Sequence, residues 1–314
     1  MSPERKILRI CATLLLCAVL VRVFGSLSNR ADPADVAAAI IFLGTGRMVR
    51  QEEPTAAPTE EAAVTEPEQA PVRFSSRDAA LVEISNYATA AVDAEQLLLK
   101  SLEWDLTGEE PTVLILHTHA SESYENTEGY TPSSEYRCLD EQYNVVSVGA
   151  HLAELLSRQG ICVLHDKTLH DYPSYNGSYN NSRQTLSGYL QTYPSIRLVL
   201  DIHRDAMTDD TGNQLGYTQT TAKGTAAKVM LVVGCNNDAW EENAALAAKL
   251  QVLLEREAPG ICRPLTLRQS RFNQELSSGA VLIEIGAAGN TRQEALLAAE
   301  YVAGAIVTLS KGTN

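Results

Sequence analysis

Three short segments set groups capable of metal ligation and proton transfer against apolar runs. They are His117-Thr118-His119-Ala120-Ser121-Glu122, Asp201-Ile202-His203-Arg204-Asp205, and Glu284 inside Ala280-Val281-Leu282-Ile283-Glu284-Ile285. Imidazole nitrogens and carboxylate oxygens are the donors of catalytic zinc sites, which take three protein ligands and keep a fourth position for water. A further carboxylate beside that water acts first as base and then as acid. Two histidines and a glutamate with this placement point to a metal-assisted hydrolase. Glu284 is the most telling residue. A carboxylate in an apolar run is costly to bury alone, so it implies a cation, a metal or a bound proton as partner. Other candidates are weaker. His165, Asp166, His170 and Asp171 lie just past a strand, and the following DYPSYNGSYNNS reads as a loop on the substrate side. His151 reads as an ordinary helix histidine, and Cys235 has no partner at nucleophile spacing. There is no GxSxG elbow and no Walker loop, and the GTGRMV stretch at 44–49 has no strand–loop–helix unit around it.

These residues need elements that gather them. Apolar runs at 112–116, 161–164, 196–200, 229–233 and 280–285 have the length and content of buried strands. Helical periodicity predicts helices over 144–159, ended by Gly160, and over 178–192, closed by Pro194. A longer helix over 238–257 has Asp238 as its cap and Gly260 past its end. A last one runs from Asn290 or Thr291 to about 309. Strands alternating with helices predict a three-layer α/β fold: an open, mostly parallel sheet with helices on both faces. Ligands of such sheets sit beyond the carboxyl ends of the strands. The run 112–116 leads into His117, 196–200 leads into Asp201, and 280–285 carries Glu284 at its end.

The 314 residues carry 39 acidic and 25 basic side chains, a formal net charge of −14. That balance excludes general nucleic-acid binding, which needs a basic face. The charge is unevenly spread: +4 over 1–50, −6 over 51–71 and −12 over the remainder. Arg5, Lys6 and Arg9 precede an apolar stretch over 10–27, interrupted by Arg22. This is close to the about 20 residues that span a bilayer, with the basic flank on the cytoplasmic side. A cleaved signal peptide has the same outline; the sequence at 24–28 is not a clean small-x-small site, which favours an uncleaved anchor over 1–30. A juxtamembrane and Pro/Glu-rich linker follows over 31–75, too polar to fold and extended by like charges. The catalytic domain occupies 76–314. Single-pass attachment to the cell membrane with an extracytoplasmic domain is the expected location. Cys11 and Cys17 lie in the apolar stretch. Cys138, Cys162, Cys235 and Cys262 lie in the domain without CxxC spacing, and their disulfide status stays open.

The strings VLILHTHASESY, NVVSVGAHLAELLSRQGI, SYNNSRQTL, LVLDIHRDA, AAKVMLVVG and FNQELSSGAVLIEIGAAGNTRQEA, in this order, resemble the stage II sporulation protein P (SpoIIP) family of endospore-forming bacteria over roughly 80–310. That family is related to the zinc-dependent N-acetylmuramoyl-L-alanine amidases. The resemblance implies peptidoglycan hydrolysis during engulfment: removal of stem peptides from glycan, and also cutting of peptide cross-links. It implies partners in stage II sporulation proteins D and M (SpoIID and SpoIIM), and Zn2+ as cofactor. By the same resemblance His119 and His203 match zinc ligands and Glu284 the catalytic glutamate. The carboxylate ligand is Glu122 if the HTHxxE element supplies it. It is Glu141 or Asp140 if, as in the wider amidase family, it begins the next helix; Glu122 is preferred. Arg204 is expected to help stabilise the oxyanion, with an ion pair to Asp201 or Asp205 as the competing reading. His117 is expected to orient a ligand. Tyr175, Tyr179, Arg271 and Asn273 are expected to contact glycan or peptide. The family often has Gly-Gly where this chain has Gly286-Ala287. Other readings are a different zinc amide hydrolase (a peptidase or a sugar deacetylase) and an inactive wall-binding scaffold.

Overall fold

The structure, a computed structural model, describes residues 71–125, 129–133 and 135–313. The expected anchor and most of the linker lie outside the described residues. Among the described residues no helix is long and apolar enough to cross a membrane. The folded part starts slightly before the expected boundary. Val72 bridges to Thr313, and Phe74 is buried against the cations of Lys249 and Arg256.

Among the described residues nine strands are present: β1 (Ile84–Tyr87), β2 (Val113–Leu116), β3 (Val163–His165), β4 (Leu198–Asp205), β5 (Thr218–Thr221), β6 (Gly224–Ala227), β7 (Val229–Gly234), β8 (Leu265–Arg268) and β9 (Ala280–Ala287). Five helices join them: α1 (Ala94–Leu99), α2 (Val145–Ser157), α3 (Ser178–Thr192), α4 (Trp240–Glu257) and α5 (Arg292–Thr308). Seven strands form one sheet in the order β1-β8-β7-β9-β4-β2-β3, and β5 and β6 form a separate hairpin. The pairing is parallel everywhere except between β7 and β9. The sheet is therefore two parallel blocks meeting at one antiparallel seam. The expected mostly parallel sheet is present. The polar strands β1, β5, β6 and β8 were not among the expected ones, because they lack a continuous apolar run.

The helices start where capping chemistry allows. Asn144 accepts from the Val146 amide at the head of α2, and Thr291 with Glu294 forms a capping box at the head of α5. Asp238 does not cap α4. Ala239 occupies that position, and the Asn237 side chain accepts from its amide.

Strand alternation sorts the side chains into two faces. Leu198, Leu200 and Ile202 of β4, Val281, Ile283 and Ile285 of β9, and Val229, Leu231 and Val233 of β7 enter one large core with α1, α2, α4 and α5. The opposite face holds Leu114, Leu116, Val199 and Ala280, packed on Leu186 of α3. It also holds a small separate group, Met230, Val232 and Leu282, against Phe272. Helices do lie on both faces, but only α3 covers the second one. The part over β7, β9 and β4 is left open as a cleft of about 440 Å3.

A candidate amide-hydrolysing cleft

The cleft takes its functional side chains from the same alternation. Asp201, His203 and Asp205 share the parity of Val199, and Glu284 shares that of Leu282, so all four face away from the large core. His203 and Glu284 are direct partners across the β4–β9 ladder. The strands run further than the apolar pattern predicts: β4 continues to Asp205 and β9 to Ala287, so His203, Arg204 and Glu284 are strand residues. The ladder shifts register between His203 and Asp205, where Gly286 has φ 74°. Such a bulge inserts one extra residue and re-aims the neighbouring side chains. A Cβ at Gly286 would lie 2.9 Å from the Ala227 Cβ, so glycine is required there.

His119 enters from the turn after β2. Its ring lies edge-on to His203, with centroids 5.3 Å apart, and stacks on Tyr175 at 4.3 Å. Burial pushes the His119 imidazole down to about 4, against the pull of Glu122. Its Nδ1 is buried without a partner. His203 sits between two carboxylates. Its Nδ1 is 3.3 Å from Glu122 Oε2. Its Nε2 is 2.9 Å from Asp201 Oδ1 but off the line of a hydrogen bond, so this nitrogen too lacks a partner. Burial works against the charge of His203, but Asp201 and Glu122 outweigh it and hold its pKa well above the ordinary value. Burial likewise opposes ionisation of Asp201. The charge of His203 and the donors of Thr118, at 2.8 and 2.6 Å, outweigh it and leave the carboxyl at about 2.

Glu122 and Glu284 are the divergent pair. Glu122 is buried, yet Arg204, with His203 and His119, overcomes that burial and keeps its carboxyl at about 2. Glu284 makes no ion pair with these cations among the described residues. Burial, with Glu122 and Asp205 adding, raises it to about 8 against the opposing charges of His203 and Arg204. One of its oxygens, Oε2, is buried without a partner. Two carboxyls in one cleft with pKa values pushed apart is the pattern of assigned acid–base roles.

The family model for stage II sporulation protein P (SpoIIP) matches residues 41–307. The chain belongs to this family. It is 31% identical over 252 residues to stage II sporulation protein P of Bacillus subtilis (strain 168), covering 76% of this chain and 59% of that protein. The chain thus spans 59% of the length of that relative. Among solved structures it is similar to the CwlD amidase from Clostridioides difficile in complex with the GerS lipoprotein, at TM-score 0.40 and 15% identity, covering 64% of this chain and 97% of that one. It is also similar to the N-acetylmuramoyl-L-alanine amidase AmiC2 of Nostoc punctiforme, at TM-score 0.38 and 13% identity, with 64% and 97% covered.

Of the residues singled out by the family pattern, the structure brings His119, Glu122, His203 and Glu284 to one cleft. It does not bring Asp140 or Glu141 there. Glu141 is exposed and pairs with Lys167, and exposed Asp140 accepts from the Gln142 amide in a turn. Arg204 is only 5% exposed. Its guanidinium donates to the carbonyls of Ser123 and Tyr136 and pairs with Glu122 at 3.5 Å. It pairs with neither Asp201 nor Asp205; Asp205 takes Arg263 instead. Arg204 lines the cleft and sets the charge of Glu122. His117 has the parity of the large core. It contacts the Ile202 carbonyl and His165, each at 2.9 Å, and touches no candidate ligand side chain. Asn273 spends its amide on the Tyr179 carbonyl and the Ser182 hydroxyl.

Two features escaped the sequence reading. Asp201 flanks His203, a pairing signalled only by their i, i+2 spacing on one strand. Tyr175 caps His119 and is itself covered by Arg137 at 4.4 Å, which pairs with buried Asp171. Nothing in the spacing announces that stack. The four described cysteines are all free thiols.

The donors fit zinc in kind. Two imidazoles each keep a buried, partnerless nitrogen, and ionised Glu122 stands beside them. No group of three or more His, Cys, Asp or Glu among the described residues is already drawn together around one point.

Proposed function

We propose that this cleft hydrolyses an amide bond of peptidoglycan, between N-acetylmuramic acid and the L-alanine of the stem peptide, in engulfment during sporulation. Cutting of peptide cross-links at the same centre belongs to the same reading. The observation that carries it is Glu284: half-buried, with Oε2 itself buried and partnerless, raised to about 8, and directly across the ladder from His203. Membership of the SpoIIP family supports the substrate. His119, Glu122 and His203 would hold Zn2+. Zinc, when bound, supplies a Lewis acid that polarises a carbonyl and acidifies water.

The chain's own residues do the remaining work. Glu284 Oε2 accepts a proton as water oxygen bonds to the amide carbon, and delivers it to the nitrogen as the C–N bond breaks. A carboxyl and a free amine result, and Glu284 is left as it began. With Zn2+ bound at His119, Glu122 and His203, the Glu284 value would fall from about 8 towards the working pH. Arg204 and His203 keep Glu122 anionic. Asp201, fixed by Thr118, places a carboxylate 2.9 Å from His203 Nε2. Met230, Val232 and Leu282 give the cleft an apolar floor that limits water around the reacting amide. The segment 1–30 would hold the domain at the outer side of the membrane, where SpoIID and SpoIIM would be its partners.

The test is mass spectrometry of material released from purified sacculi. The expected product is stem peptide with a new L-alanine amino terminus, formed with zinc and lost with chelator or with His203→Ala. Release of acetate, or of shorter peptides alone, contradicts the assigned bond.

A further inference from the structure

A second cavity, of about 640 Å3, adjoins the cleft and shares Tyr179, Ser270 and Phe272 with it. Its charge is opposite to that of the domain as a whole, which is strongly acidic. Arg183 and Arg271 line it, and Arg268 lines the adjoining cleft. Arg183 is committed to Glu275, and Arg268 lies over the Tyr87 ring at 4.8 Å. Arg271 is exposed, and its guanidinium has no such partner among the described residues.

The loop that presents Arg271 is built to hold still. Phe272 and Asn273 both adopt left-handed backbone, at φ 54° and 58°. Two successive non-glycine residues in this region are strained, and such strain persists only where the surroundings fix it. They do so here. Asn273 donates to Tyr179 O and Ser182 Oγ at 2.8 and 3.1 Å. Buried Gln274 donates to the Val232 carbonyl at 2.9 Å and accepts from the Gly234 amide at 2.8 Å. Gly234 allows the close approach, since a Cβ there would lie 2.6 Å from the Ser270 carbonyl oxygen. A rigid loop thus aims an unpaired guanidinium into a cavity joined to the reacting centre, whose own carboxylates repel anions.

We propose that Arg271 is a subsite for a carboxylate of an acidic peptide arm. It fixes which amide of the substrate reaches Glu284. A guanidinium is suited to this because its planar fork matches a carboxylate. The assignment rests on the proposed peptide-bearing substrate and adds where its acidic arm lies.

The test uses the full chain carrying Glu284→Gln, so that nothing is cleaved, and two probes: an N-acetylmuramoyl tetrapeptide with free carboxylates, and the same molecule with them amidated. Calorimetry is expected to show tighter binding of the acidic probe. Adding Arg271→Gln should weaken that probe by roughly 10- to 100-fold, the scale of one charged hydrogen bond. The amidated probe should be unaffected, and Arg271→Lys should restore part of the loss. Equal affinity for the two probes, an equal loss for both in Arg271→Gln, or no binding of either overturns the subsite. Release of stem peptides by the wild-type chain is measured alongside. Release without discrimination overturns the subsite and leaves the reaction standing; discrimination without release leaves the subsite standing and overturns the reaction.

Discussion

The two faces of the central strands are made of different materials. On one face Leu200, Ile202, Ile283 and Ile285 are fully buried among other apolar side chains. On the other, one residue away along the same backbone, lie buried Asp201 and His203 and half-buried Glu284, all ionisable. Two of these three have a polar atom without a partner. Apolar burial stabilises by about 25 cal/mol per Å2 removed from water. A buried polar atom without a partner costs about 1–3 kcal/mol. The same strand therefore contributes stability with one parity and gives some of it up with the other. Cores tolerate such a cost where the group does chemistry. The contrast assigns stability to one face and turnover to the other, and substitutions on each should separate them.

The largest expected effect on stability is on the apolar face. Leu200→Ala should lose about 2–5 kcal/mol, through lost burial and the cavity left behind. Turnover per folded molecule should stay near wild type. Denaturant melts with activity measured on the soluble fraction check this; a specific activity that falls with stability intact would break the division.

Gly286→Ala tests the joint between the faces. A left-handed alanine costs about 1–2 kcal/mol, and here its Cβ also meets Ala227. The bulge that aims Glu284 should shift, so this variant should lose both stability and turnover. Loss of stability alone would mean the bulge does not aim Glu284.

The smallest effect comes from the ion on the apolar side. Lys249 is fully buried in α4 and donates to the Leu97 carbonyl at 2.8 Å. Burial, with Lys100 adding, lowers its pKa to about 8. Below pH 8 the lysine is charged in both folded and unfolded chains, and the whole burial penalty is present. Between pH 8 and the ordinary lysine value the folded chain sheds its proton first, and the penalty fades. Lys249→Met should therefore stabilise by about 1 kcal/mol at pH 7, and the gain should shrink as pH rises above 8. Thermal melts from pH 6 to 10 would show it; a gain that grows with pH contradicts the sign.

Much of this division is legible in the sequence. The apolar runs at 112–116, 196–200, 229–233 and 280–285 found the central strands because parallel strands buried on both faces read as continuous apolar stretches. Glu284 stood out because it interrupts such a run. The edge strand β1 and the hairpin β5–β6 did not, since strands that face water carry no such signal. Within the site, types and spacing marked the three segments that meet in the cleft, and the family resemblance picked His119 and Glu122 within the first of them. Neither showed that Arg204 pairs with Glu122 or that His117 turns to the Ile202 carbonyl, because parity decides those contacts and parity is known only once strand ends are known. Extending β4 to Asp205 turns Arg204 towards Ser123 and Tyr136, and puts His203 in the cleft. The Tyr175–His119 stack depends on a loop folding back from β3, which no local pattern encodes.

The central claim is that Glu284 belongs to the face that works and not to the face that holds. Glu284→Gln keeps the shape of the side chain and removes the carboxyl proposed to move the proton. Release of stem peptides from sacculi at saturating zinc should fall by about 10²- to 10⁴-fold, while the thermal midpoint stays at or above that of wild type and zinc is still bound. Turnover within a few-fold of wild type in a folded, zinc-loaded Glu284→Gln protein would contradict the account.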